Sequence, residues 1–254
     1  MSEKSSPNVL LICTDHQSGL LTGAAGHPVL MTPTIDQFAR WGVRYTNAYS
    51  ACPACIPARR SLMTGMSPKA AELRMYREGL RLPDVPSLAQ AFRNAGYQAY
   101  AVGKLHVSPQ RDRIGFDDVL LEEQGRHQFR EIPDGVADDW ELFLAEQGYG
   151  GMEYAGGMTQ NEWVTRPWHL PERCHPINWA ATEMCKTIRR RDPSRPSFWY
   201  LSFSAPHPPL TPLQTYMDLY RNLPINDPVI GDWAESFEKL PYHIQNLSNP
   251  DTGT

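Results

Sequence analysis

Along the chain, short continuous apolar runs alternate with stretches where apolar residues return every three or four positions. Residues 8–13 (Asn-Val-Leu-Leu-Ile-Cys) and 198–203 (Phe-Trp-Tyr-Leu-Ser-Phe) are runs of the first kind. Such runs are expected of strands buried on both faces of a mostly parallel sheet. A helix opens at Thr32-Pro33, carries Ile35, Phe38 and Ala39 on one face and stops at Gly42, after which residues 43–49 read as a short strand. A second helix starts at Pro86-Ser87, repeats Leu88, Ala91, Phe92 and Ala95, and closes at Gly96, with a strand over 97–102 behind it. Residues 138–147 look helical. Asn178 is expected to cap a further helix with Ala181, Met184, Cys185 and Ile188 on one face and three arginines, Arg189 to Arg191, in a solvated last turn. Strand and helix in this alternation give an α/β fold, a mostly parallel central sheet flanked by helices, as one domain.

Composition narrows the partners. With 254 residues, 41% apolar content and a formal net charge of -4, the chain can build a sizeable core and has no basic field for nucleic acid or an acidic membrane. No apolar run precedes Val9 and no window approaches the roughly 18 apolar residues of a membrane span. A soluble chain without an export signal is the expectation. Five cysteines at irregular spacing favour a reducing, cytoplasmic setting over a disulfide scaffold.

Candidate chemistry sits where the strands end. In open parallel sheets ligands gather at the carboxyl ends, and there the sequence places Asp15 after the first run, Lys104 and His106 after the second strand and His207, set between prolines, after the third. Lys104 and His106, two apart on an extended segment, would face the same side of an anion. Each has a plainer reading: a cap for Asp15, a surface lysine beside a packed histidine, a histidine in a proline-rich turn. Trp140, Trp163, Trp168 and Trp179 either line a pocket or pack under a long insertion. The glycine-rich stretch 148–157 has no nucleotide-loop pattern.

The densest stretch is Cys52-Pro-Ala-Cys55-Ile-Pro57-Ala-Arg59, running on to Thr64-Gly65. It reads as a loop feeding a helix with Cys55 at its entrance, where unpaired amides and the helix dipole favour an anion and Arg59 adds a full charge. Cys52 and Cys55 also form a Cys-x-x-Cys pair, open to redox or zinc chemistry, although Cys13, Cys174 and Cys185 offer no second pair. A buried, inert Cys55 is a further reading.

Cys55, Pro57, Arg59 and Thr64-Gly65 resemble, position by position, the signature of the type I sulfatases, and the chain looks like the choline-sulfatase or arylsulfatase-like cytosolic branch. The resemblance implies an alkaline-phosphatase-like N-terminal domain. It also implies that Cys55 is converted to formylglycine by a maturation enzyme, the hydrate being the nucleophile against a sulfate ester. By the same resemblance Asp15 and residue 55 bind a divalent cation, with calcium preferred and magnesium or manganese possible. By the resemblance the metal, Arg59 and Lys104 hold the sulfate oxygens, His207 contacts the sulfate and assists departure of the alcohol, and His106 deprotonates the second hydroxyl. His16 stands where many members carry a second Asp and is not given a ligand role. A phosphonate monoester or phosphodiester hydrolase of the same superfamily, or a non-catalytic anion-binding remnant, are the alternatives. The family's later Asp-His/Asn-Gly metal segment has no counterpart at Asp232 or Asp251. The expectation is therefore the N-terminal part of a family member over 1–254, lacking that segment and the C-terminal subdomain, and inactive without them.

Overall fold

A computed structural model describes residues 6–124, 136–155, 157–225 and 227. Asp232 and Asp251 lie outside the described residues. Four parallel strands form one sheet in the order β1-β4-β2-β3: β1 Val9–Cys13, β2 Gln98–Gly103, β3 Asp118–Leu121 and β4 Ser197–Ser202. Register aligns the strand ends, since Cys13 and Gly103 both pair with Ser202. The segments after β1, β2 and β4 therefore all leave the sheet at one edge.

Side-chain alternation on the sheet separates two cores. Phe198 and Tyr200 face one with Ala99, Ala101, Phe116 and Met63, while Trp199 and Leu201 face the other with Val102, Trp140, Trp179 and Met184. Among the described residues there are six α-helices, α1 Pro33–Trp41, α2 Cys55–Thr64, α3 Leu88–Asn94, α4 Asp139–Glu146, α5 Pro176–Arg189 and α6 Gln214–Tyr220, of which α3, α4 and α5 pack on the sheet. Ser87 caps α3 by accepting from the Gln90 amide, and Asp138 with Glu141 forms a complete capping box on α4. None of the described helices is long and apolar enough to cross a membrane.

Several expectations are corrected. β1 is half-buried on one face only: Val9, Leu11 and Cys13 pack against the core, while Leu10 and Ile12 stay 45% and 49% exposed because α5 lies over β2 and β4. Residues 43–49 form no strand; Val43, Tyr45 and Tyr49 are exposed and gain no ladder partner. The apolar face of α1 exists, yet none of its residues is buried. α5 begins earlier than Asn178, with Pro176 in its first turn and the His175 ring accepting from the Ile177 amide. Its buried residues are Trp179, Ala180 and Met184, and Cys185 is exposed. β3 is an element the sequence pattern does not predict.

Candidate active site

Three strand ends and one helix start meet. Asp15 follows β1, held by its amide to the Ala205 carbonyl at 3.2 Å. Lys104 follows β2 and reaches across the end of β4, placing its Nζ 2.7 Å from Asp15 Oδ2. Arg59 lies one turn beyond Cys55 on α2, so both project from one face of the helix. Its Nη2 approaches Asp15 Oδ2 at 3.4 Å, while Nη1 donates to the Lys104 carbonyl at 2.7 Å, the Ser202 hydroxyl at 2.7 Å and the Tyr200 hydroxyl at 3.1 Å. Burial pushes the Tyr200 hydroxyl up to about 12, so it meets Arg59 as a neutral group. For Asp15, burial works against the charge, but Lys104 and Arg59 outweigh it and the carboxyl settles at about 2.

Cys55 opens α2, behind the extended Ala54, among the free first-turn amides. Burial pushes its thiol up, but a hydrogen bond with His207 and the charge of Lys104 bring it below its ordinary value. The His207 ring is oriented by Nδ1, 2.8 Å from the Pro208 carbonyl; with the proton on Nδ1, Nε2 carries the lone pair. His207 also packs against the His16 ring, with centroids 4.5 Å apart. A cavity of about 800 Å³ opens beside Cys55, lined by Asp15, His16, Arg59, Ser61 and Trp163 among others. Of the four tryptophans weighed from sequence, Trp163 thus lines the cleft, whereas Trp140, Trp168 and Trp179 pack in the core beside α5.

The structure thus brings Asp15, Cys55, Arg59, Lys104 and His207 together. His106 enters two residues after Lys104 in a left-handed conformation, φ 58°, and its Nε2 lies 3.5 Å from Glu78 Oε1 with the ring edge toward Tyr76. Its backbone is set by a residue that sequence reasoning does not single out: Glu123 Oε1 accepts from the Leu105 and His106 amides at 2.9 and 2.8 Å. Glu122 beside it is fully enclosed, and burial raises its carboxyl to about 8. The acidic pair Glu122-Glu123 follows the end of β3, a strand the sequence pattern does not predict, so the sequence carries no signal for it.

A family model described as Sulfatase matches residues 7–224. The chain belongs to the sulfatase family. It is 37% identical to an arylsulfatase of Clostridium perfringens over 90% of this chain and 49% of that protein. It is 26% identical to a choline-sulfatase of Rhizobium meliloti over 95% of this chain and 46% of the relative. Among solved structures, a phosphonate monoester hydrolase of Agrobacterium radiobacter superposes with a TM-score of 0.66 at 25% identity, covering 84% of this chain and 44% of its own. The chain spans about half the length of the relatives it matches.

Sulfatases use a divalent metal and a formylglycine. The surroundings of Cys55 suit the second: a half-buried side chain at a helix entrance, facing a cavity, with the His207 imidazole within 4.8 Å. The metal is a different matter. Calcium takes six to eight oxygens, whereas the donor cluster found among the described residues is His16, Cys55 and His207, with Asp15 outside it and paired to Lys104. The described residues do not make up a hard-cation site.

Proposed function

We propose that this chain carries the nucleophile and anion-binding half of a sulfuric ester hydrolase acting on a small sulfate ester. The observation that supports the reading is that Cys55, Arg59 and Asp15 line one cavity, with Lys104 against Asp15 and His207 within 4.8 Å of Cys55 although both are distant in sequence. As formylglycine, residue 55 supplies a hydrated aldehyde, one hydroxyl to attack sulfur and a second to let sulfate leave.

The chain's own residues supply the rest. Arg59 lines the cavity and Lys104 lies behind Asp15; both cations rest on Asp15 and are assigned to the sulfate oxygens when substrate is bound, with the α2 amides adding their dipoles. His207, its Nδ1 engaged by Pro208, keeps Nε2 for proton transfer at residue 55 and toward the departing alcohol. His106 is assigned the proton of the second hydroxyl, with Glu78 beside its ring. Calcium would be the metal of a complete site, with Asp15 as one of its oxygen donors. A maturation enzyme acting on Cys55 and a cytoplasmic location belong to the same reading, and five free thiols support the latter.

The likeness to a phosphonate monoester hydrolase favours a second reading within the superfamily. The full polypeptide, co-produced with a formylglycine-generating enzyme and checked at Cys55 by peptide mass spectrometry, should turn over an aryl sulfate faster than an aryl phosphonate. The reverse order establishes the second reading. No turnover of either by fully converted protein overturns both.

A further inference from the structure

Ligand atoms of His16, Cys55 and His207 all lie within 4.8 Å of one another. We propose that, while Cys55 is still a thiol, these three side chains bind a soft divalent cation of the zinc type, with a solvent molecule from the adjoining cavity in the fourth position.

The donors are a sulfur and two imidazoles, a set that suits zinc or cobalt and is foreign to calcium. A tetrahedral ion with bonds of about 2.0 to 2.3 Å needs ligand atoms roughly 3.5 Å apart, so closure by about an ångström is required. His16 can supply it, since its side chain is 40% exposed on the loop after β1.

The supporting shell is in place. The His207 Nδ1 contact with the Pro208 carbonyl fixes the tautomer that leaves Nε2 as a donor atom, the arrangement typical of metal-bound histidine. The Asp15 carboxylate lies 3.6 Å from the His16 Nε2, near enough to accept its N–H once the ring moves onto the ion. Lys104 and Arg59 are both turned onto Asp15, so their charges are partly offset before a cation arrives. Cys52 points elsewhere, its Sγ 3.7 Å from the Arg74 carbonyl. The site is therefore built on Cys55 and the two histidines, not on the Cys-x-x-Cys pair.

Metal binding and conversion of Cys55 to formylglycine compete for one sulfur. The inference concerns the thiol form and stands independently of the hydrolase reading.

Cobalt(II) is titrated into the reduced, unconverted chain, and zinc affinity is measured by competition with a chromophoric chelator. One equivalent is expected, with a near-ultraviolet thiolate-to-cobalt band that zinc abolishes and calcium does not. The band should survive in Cys52→Ser, vanish in Cys55→Ser, and zinc affinity should fall at least tenfold in His16→Ala and His207→Ala. Circular dichroism verifies folding. His16, the exposed member, decides the matter if the His207 variant does not fold. No stoichiometric binding, or unchanged zinc affinity in His16→Ala, overturns the proposal.

Discussion

Lys104 Nζ lies 2.7 Å from Asp15 Oδ2, joining the end of β2 to the end of β1 across β4. Both side chains are buried, at 2% and 8% exposure, so neither charge is compensated by water if the other is removed. Lys104→Met alone is expected to cost about 3 to 5 kcal/mol. Asp15→Asn combined with it should recover part of that loss, which chemical denaturation of the four species in a double-mutant cycle measures. Strict additivity would mean the pair is not coupled.

Gly103 makes that reach possible. It is the last residue of β2, has φ +99°, and an added Cβ would fall 1.9 Å from the Ser202 carbonyl oxygen, which accepts from the Lys104 amide at 2.9 Å. Gly103→Ala must separate β2 from β4 at the site. A loss of about 2 to 4 kcal/mol is expected from the clash and the left-handed backbone together, while Gly79→Ala, with a left-handed φ of +75° but nothing within 4 Å, should lose only the backbone part, about 1 to 2 kcal/mol.

Glu122 gives the fold a pH dependence. Its carboxyl titrates near 8 when folded, against 4.5 for the ordinary group, mainly because burial penalises the charge. Between those values the native state holds a proton that the unfolded chain has released, so stability is fully present below about 4.5 and is lost as pH rises through 8. Urea melts from pH 5 to 8.5 should show a decline on the order of a few kcal/mol. Glu122→Gln should flatten it, and an undiminished slope in that variant would remove Glu122 as the cause.

Glu123 is expected to matter as an acceptor rather than as a charge. Its Oε1 takes two adjacent amides, Leu105 and His106. Glu123→Ala leaves both buried donors without it, at about 1 to 3 kcal/mol each. Glu123→Gln keeps an acceptor oxygen and should cost less than half as much in thermal melts; equal losses would contradict the assignment.

How much of this the sequence disclosed depends on the kind of signal. Punctuated helices were legible, because Ser87 and Gly96 act through local backbone geometry that needs no tertiary partner. So was β4, an apolar run enclosed on both faces. β3 was not, since Asp118-Val-Leu-Leu121 is four residues long and becomes a strand by pairing with β2. Residues 43–49 carry the composition of a strand without the neighbour that makes one. At the site, Cys55, Arg59, Lys104 and His207 were reached through a motif and strand-end logic. The hydroxyls of Tyr200 and Ser202, which orient Arg59, hid inside a strand chosen for its apolarity, although their two-residue spacing places them on one face.

Residue 55 as the group that takes the sulfo group from substrate is the central claim, and Cys55→Ser tests it most directly, because serine offers one hydroxyl and no second one for release. The full polypeptide carrying this change, incubated with an aryl sulfate, should liberate a single equivalent of phenol and retain the sulfo group on the peptide containing residue 55, as read by mass spectrometry. Sustained turnover by that variant, or phenol release with residue 55 unmodified, would contradict the account.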